Sequence, residues 1–131
     1  MLDTGVRYDH PDLLATSQGG KILPGFDFVS GESTTSFVRA NDGNGYDADA
    51  SDPGDWVDAA DAAAHPTLFP ATECPAIPDP SGYSSWHGTR VAGLLGALND
   101  NGVGIAGIAW QPLILPVRVL GVQRGTGTDS D

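Results

Sequence analysis

An α/β fold with a parallel sheet is predicted by three features of this 131-residue sequence. Apolar strand-like runs alternate with one strong helical pattern. The run Leu113–Leu120 has the near-continuous apolar character of a strand buried in a parallel sheet. The 18 glycines and 10 prolines supply turns between the elements.

Taken in order, Leu2 to Gly5 reads as the end of a strand entering a turn, with only about two strand residues. Val6 to Thr16 contains the turn-rich stretch His10-Pro11-Asp12-Leu13. Ile22 to Val29 is the next strand, with Pro24-Gly25 bending it or placing it at an edge. Residues 30–85 form a long polar segment with Asn41-Asp42-Gly43-Asn44-Gly45 followed by Asp47, Asp49, Asp52, Asp55, Asp58 and Asp61. So long a connection without periodic structure is functional or disordered. His87 to Leu98 is the best helix, because Val91, Leu94, Leu95 and Leu98 fall at i, i+3, i+4 and i+7 and make one apolar face. Gly88, Gly93 and Gly96 are poor helix formers and suggest close packing against a neighbour. Asn99 to Gly104 is a turn, Ile105 to Ala109 is short and apolar, and the Leu113–Leu120 strand is interrupted by Pro116 and Arg118. Gly125-Thr126-Gly127 is extended chain or loop. The chain is one domain at most.

The formal net charge of -11 and a pI near 4.2 argue against a nucleic-acid partner, since phosphate binding needs a basic face. The same acidity suits plain solubility, secretion, or the binding of divalent cations. Cys74 is the one cysteine, so neither an internal disulfide nor a cysteine zinc cluster is available. No run reaches transmembrane length, and no membrane partner is expected. Met1-Leu2-Asp3 passes straight to a charge without a signal peptide, and the sequence reads as cut at its amino terminus.

Two segments carry the chemistry. The first is Asp3-Thr4-Gly5-Val6, followed by His10-Pro11-Asp12-Leu13; the second is His87-Gly88-Thr89-Arg90-Val91-Ala92-Gly93. Alone, Asp-Thr-Gly also fits a turn or an aspartic protease signature, and a histidine before a helix fits a cap or packing residue. In this order and at this spacing the two segments resemble the aspartate and histidine motifs of the subtilisin superfamily of serine proteases. The run Asn99 to Ala109 and Val117-Arg118-Val119-Leu120-Gly121 continue the likeness.

The resemblance implies a subtilisin-like parallel sheet flanked by helices, of which this chain is the amino-terminal half. It implies endopeptidase hydrolysis through an acyl-enzyme, with Asp3 orienting and compensating the charge of His87, and His87 as base and acid. Neutral imidazole can take a serine proton near pH 7. The dipole of a helix beginning at His87 would disfavour the resulting cation, and the carboxylate offsets this. The nucleophile of the family lies in a Gly-Thr-Ser motif after the histidine. Only Ser130 follows His87 here, in Asp-Ser-Asp, so the chain is expected to be inactive alone. The family's oxyanion-hole asparagine likewise falls in the missing remainder of the catalytic domain.

The likeness further implies a structural calcium held by Asp12 and Asp100 with carbonyls near Leu98, Val103 and Ile105, since hard oxygen ligands suit calcium. A second candidate calcium set is Asp42, Asn44, Asp47, Asp49 and Asp52. Asp47, Asp49 and Ser51 begin like an EF-hand loop, but Asp52 stands where that loop requires glycine. A peptide or protein substrate would add a strand beside Gly125, Thr126 and Gly127. Arg90 replaces a histidine usual in the family and is expected to face solvent. Gln123 stands where some members carry the partner of a cysteine like Cys74, so that disulfide is expected to be absent. Secretion is the localisation the family implies. Two other readings stay open: a non-catalytic calcium-binding module, and an incomplete gene product that does not fold alone. An aspartic protease would need a second Asp-Thr-Gly, which the chain lacks.

Overall fold

The computed structural model describes residues 1–31, 36–70 and 84–122. Three two-residue strands form a parallel sheet: β1 (Leu2–Asp3), β2 (Phe26–Asp27) and β3 (Val117–Arg118), in the order β1-β3-β2. Leu2 and Phe26 both register with Val117, and Asp3 and Asp27 both register with Arg118. The central strand is held on both sides. Val119 N–H donates to Asp3 O at 2.9 Å, and Phe28 N–H donates to Arg118 O at 2.8 Å. Asp3, Asp27 and Arg118 therefore stand in one row at the carboxyl ends of the strands, where open parallel sheets place their sites.

The helical elements are α1 (Ala59–Ala64), α2 (His87–Gly96) and a 3-10 turn at Thr16–Gln18. Helix α2 packs against β1. The core between them comprises Val6, Leu13, Ile22, Ala92 and Ile114, and a second cluster joins Val57, Phe69 and Val122.

Two expectations need correction and one is borne out. Helix α2 forms where the periodicity puts it and packs through its glycines, as expected of them, while the leucine face is open. Leu94 and Leu95 are 57% and 43% exposed, whereas Gly88, Thr89, Ala92, Gly93 and Gly96 are buried. The small residues let the helix axis approach the sheet, so the side without bulk is the packed side. The Leu113–Leu120 run is not buried throughout. Ile114, Pro116 and Arg118 point inward while Leu113 and Leu115 are exposed, the period-two alternation of a strand covered on one face by the described residues. Pro116 immediately precedes the β3 ladder, so its missing N–H interrupts none of the β3 pairing.

The acidic segment, third, is not structureless. Asp47 pairs with Asp27 and Ser51 with Val6, bringing it back onto the sheet. Helix α1 starts at Asp58, whose carboxylate caps the Asp61 amide at 2.8 Å. Cys74, Gln123, Gly125, Thr126, Gly127 and Ser130 lie outside the described residues.

Candidate active site

Asp3 ends β1 and His87 begins α2, and the packing of that helix on that strand closes the 84-residue separation. His87 Nδ1 lies 2.8 Å from Asp3 Oδ1 and 2.9 Å from Oδ2. An ionised carboxylate only accepts hydrogen bonds, so Nδ1 carries the proton and Nε2 of the neutral ring is the basic nitrogen. The Asp3 side chain is 8% exposed and that of His87 62%. The pair thus has a sheltered anchor and an open working end. Thr4 N–H donates to Asp3 Oδ1 at 2.7 Å, holding the carboxylate toward the ring.

Gly88 makes the approach possible. A Cβ there would stand 2.1 Å from Gly5 O and 3.0 Å from Asp3 Oδ1. Any side chain would push α2 off the strand end. Trp86 precedes His87 in the left-handed region, at φ 48° and ψ 38°, a conformation that costs a residue with a Cβ roughly 1–2 kcal/mol. The Arg7 guanidinium lies 4.8 Å from the Trp86 ring centroid. Arg90 is exposed, as expected.

Sequence reading missed the polar layer beneath this pair. The Thr4 hydroxyl donates to Asp52 Oδ2 at 2.7 Å and accepts the Gly88 amide at 3.0 Å. Asp55 Oδ1 accepts the Ser84 hydroxyl at 2.7 Å and the Ser85 amide at 2.6 Å. Asp52 and Asp55 are both buried. Burial pushes the Asp52 carboxyl up from its ordinary range, against the pull of the Thr4 hydrogen bond. The only sequence signal for this layer was the Asp52-Pro53-Gly54-Asp55 turn, which is indistinguishable from the other acidic turns around it.

Arg118, read as an interruption, is the most bulky fully buried side chain described. It pairs with Asp27, with Asp42 at 2.5 Å, and with Ala40 O. Desolvation nonetheless pushes Asp27 up to about 7, against the pull of the Val29 amide and the Arg118 guanidinium.

The two candidate calcium sets fare differently. Asp42, Asp47, Asp49 and Asp52 do not converge. Asp42 is taken by Arg118, Asp47 and Asp49 cap the amides of Asp49 and Ser51, and Asp52 lies under Thr4. Asn44 donates its side-chain amide to Asp47 instead of facing a common centre. Among the described residues no group of three or more histidine, cysteine or acidic side chains could hold a metal. Asp12, in contrast, is buried against the 98–106 loop. Its oxygens accept Asn101 Nδ2 at 2.8 Å and the Ile105 amide at 2.9 Å. The loop approaches so closely that a Cβ on Gly104 would lie 2.3 Å from Asp12 Oδ2. Asn99 Oδ1 is buried there without a hydrogen-bond partner. Ile105 turns its N–H toward Asp12, and Asp100 is exposed at φ 58°. Of the residues implied by resemblance, Asp12 lies against the loop with both oxygens accepting N–H groups, and Asp100 stands apart as an exposed residue.

A strand-end aspartate is thus bonded to a helix-start histidine, and comparison with known proteins shows the family of the chain. Residues 1–131 match the model of the subtilase family, so the chain belongs to that family. It is 40% identical over 134 residues to an extracellular basic protease of Dichelobacter nodosus, covering 100% of this chain and 18% of that protein. It is 41% identical over 129 residues to an extracellular protease of Xanthomonas campestris, covering 98% and 18%. A solved structure of proteases from Pseudoalteromonas arctica matches with a TM-score of 0.65 and 42% identity, covering 95% of this chain and 30% of that one. The parallel sheet with helices is thus similar to a subtilisin-like protease fold. The chain spans less than a fifth of the length of the first two relatives.

Proposed function

We propose that Asp3 and His87 are the aspartate and histidine of a Ser-His-Asp triad that hydrolyses peptide bonds in peptide or protein substrates. The observation that carries this is the approach of both Asp3 carboxylate oxygens to His87 Nδ1, within 2.9 Å, with the ring otherwise open. His87 Nε2 would take the proton of an attacking serine hydroxyl as the acyl-enzyme forms, then return it to the leaving amine. Asp3 would fix the tautomer and stabilise the imidazolium against the helix dipole. The sequence holds no Gly-Thr-Ser, so the attacking serine is not supplied by these residues, and the chain alone should not turn over substrate. Names of relatives as extracellular proteases support secretion. Among the described residues no helix is long and apolar enough to cross a membrane.

The reading is tested by grafting residues 1–131 in place of the matching segment of the Xanthomonas campestris protease. The chimera should hydrolyse casein, and His87→Ala should abolish it. A chimera whose activity survives His87→Ala would refute the assignment. Hydrolysis above blank by the purified chain alone, removed by His87→Ala, would refute only its inactivity.

We also propose a structural calcium bound by Asp12 and oxygens of the 98–106 loop. Its support is the buried carboxylate, the close fit at Gly104 and the unpartnered Asn99 oxygen. Calcium would brace the loop that follows α2 and take no part in the chemistry.

A further inference from the structure

We propose that the turn Asp52–Asp55 is a clamp that sets the Asp3–His87 geometry, with Asp55 as a positioning residue for His87. The proposal rests on the assignment of that pair as catalytic. The turn is closed by the Gly54 amide on Asp52 Oδ1 at 2.9 Å, so its two buried carboxylates move as one piece. Each reaches a different side of the pair. Asp52 takes the hydroxyl of Thr4, the neighbour of Asp3. Asp55 takes the hydroxyl of Ser84 and the amide of Ser85, just ahead of His87.

The second arm acts on a strained segment. Ser84 Oγ, fixed by Asp55, also accepts the Trp86 amide at 3.4 Å, and Ser85 Oγ accepts the His87 amide at 3.3 Å. Between these bonds Trp86 is held left-handed, where residues with a Cβ rarely sit. Backbone strain persists only when surrounding bonds over-determine it. Relaxing Trp86 would rotate the first turn of α2 and swing the His87 ring away from Asp3. Asp55 Oδ2 is buried and has no hydrogen-bond partner, so the carboxylate is not placed for its own best solvation. Only Oδ1 does the holding, so the amide oxygen of an asparagine can accept the same two bonds.

The test is the ring nitrogen spectrum of isotopically labelled His87 in the full chain, with the downfield Nδ1 proton expected of a carboxylate-bonded imidazole. Asp55→Ala should abolish that proton resonance while the chain still melts cooperatively, and Asp55→Asn should restore it. A folded Asp55→Ala chain with the resonance intact would overturn the clamp, and so would a folded Asp55→Asn chain that loses it. If Asp55→Ala does not fold, Ser84→Ala decides: an unchanged His87 resonance overturns the proposal and a lost one supports it. Asp3→Asn is the separate control. If it leaves the His87 signals of the folded chain unmoved, the catalytic pairing itself fails, whatever Asp55 does.

Discussion

The Thr4 hydroxyl accepts the Gly88 amide at 3.0 Å, tying together the residues that follow Asp3 and His87 in sequence. The strand end and the helix start are therefore joined twice, once through the side chains of the pair and once through their neighbours. This contact requires glycine at position 88, and it yields the first prediction. Gly88→Ala places a methyl group against Gly5 O, where 2.1 Å is available. Overpacking of this kind costs about 1–3 kcal/mol. The melting temperature should fall by several degrees, and the Nδ1 proton of His87 should be lost even in folded material, as read by calorimetry and proton NMR.

Asp3→Asn should leave the fold nearly unchanged, because the amide keeps one oxygen for the Thr4 N–H. It should instead reverse the tautomer, since an amide NH2 facing the ring favours an unprotonated Nδ1. In the chimeric protease turnover should drop by about 10⁴, the size of the same aspartate-to-asparagine change in a Ser-His-Asp triad. A drop of less than tenfold would count against the role.

Asp27 gives a pH prediction. Its folded pKa of about 7 lies above its ordinary 3.8. The folded state therefore holds this proton over a range in which the unfolded chain has released it. Its contribution to stability is full below 3.8, declines as pH rises toward 7, and is level above 7. The slope is at most about 1.4 kcal/mol per pH unit. Thermal melts between pH 4 and 8 should show wild type losing more stability with rising pH than Asp27→Asn. Parallel profiles would show that Asp27 is ionised throughout.

Calcium at millimolar concentration should raise the melting temperature through Asp12. A ligand at 100 times its Kd adds about 2.7 kcal/mol. Asp12→Asn should remove the shift, whereas Asp47→Asn and Asp49→Asn should keep it, because those side chains serve local turns. No calorimetric heat at millimolar calcium would dismiss the site.

The contact between Asp3 and His87 was legible because the motifs that carry it are local. Asp3-Thr4-Gly5 at a strand end and His87 opening an apolar-periodic run are features of a few consecutive residues. The lengths of β2 and β3 and the use of the acidic segment were not legible, since each depends on what lies opposite. The leucine periodicity located α2, and the glycines marked its packed side. Helix-to-strand distance is set by the smallest residues, and Gly88, Ala92 and Gly96 allow the closer approach. Asp52 and Asp55 looked like further solvated acids beside Asp47 and Asp49.

What the sequence alone determined is the family-like order of motifs, the position of α2 and the parallel α/β class, because backbone periodicity and turn chemistry act over short stretches. What only the tertiary structure decided is which carboxylates are buried and what they hold. Asp27 and Asp42 meet Arg118, while Asp52 and Asp55 flank the two ends of the Asp3–His87 pair. A carboxylate's role depends on desolvation and on partners many residues away, and neither is encoded in its immediate neighbours.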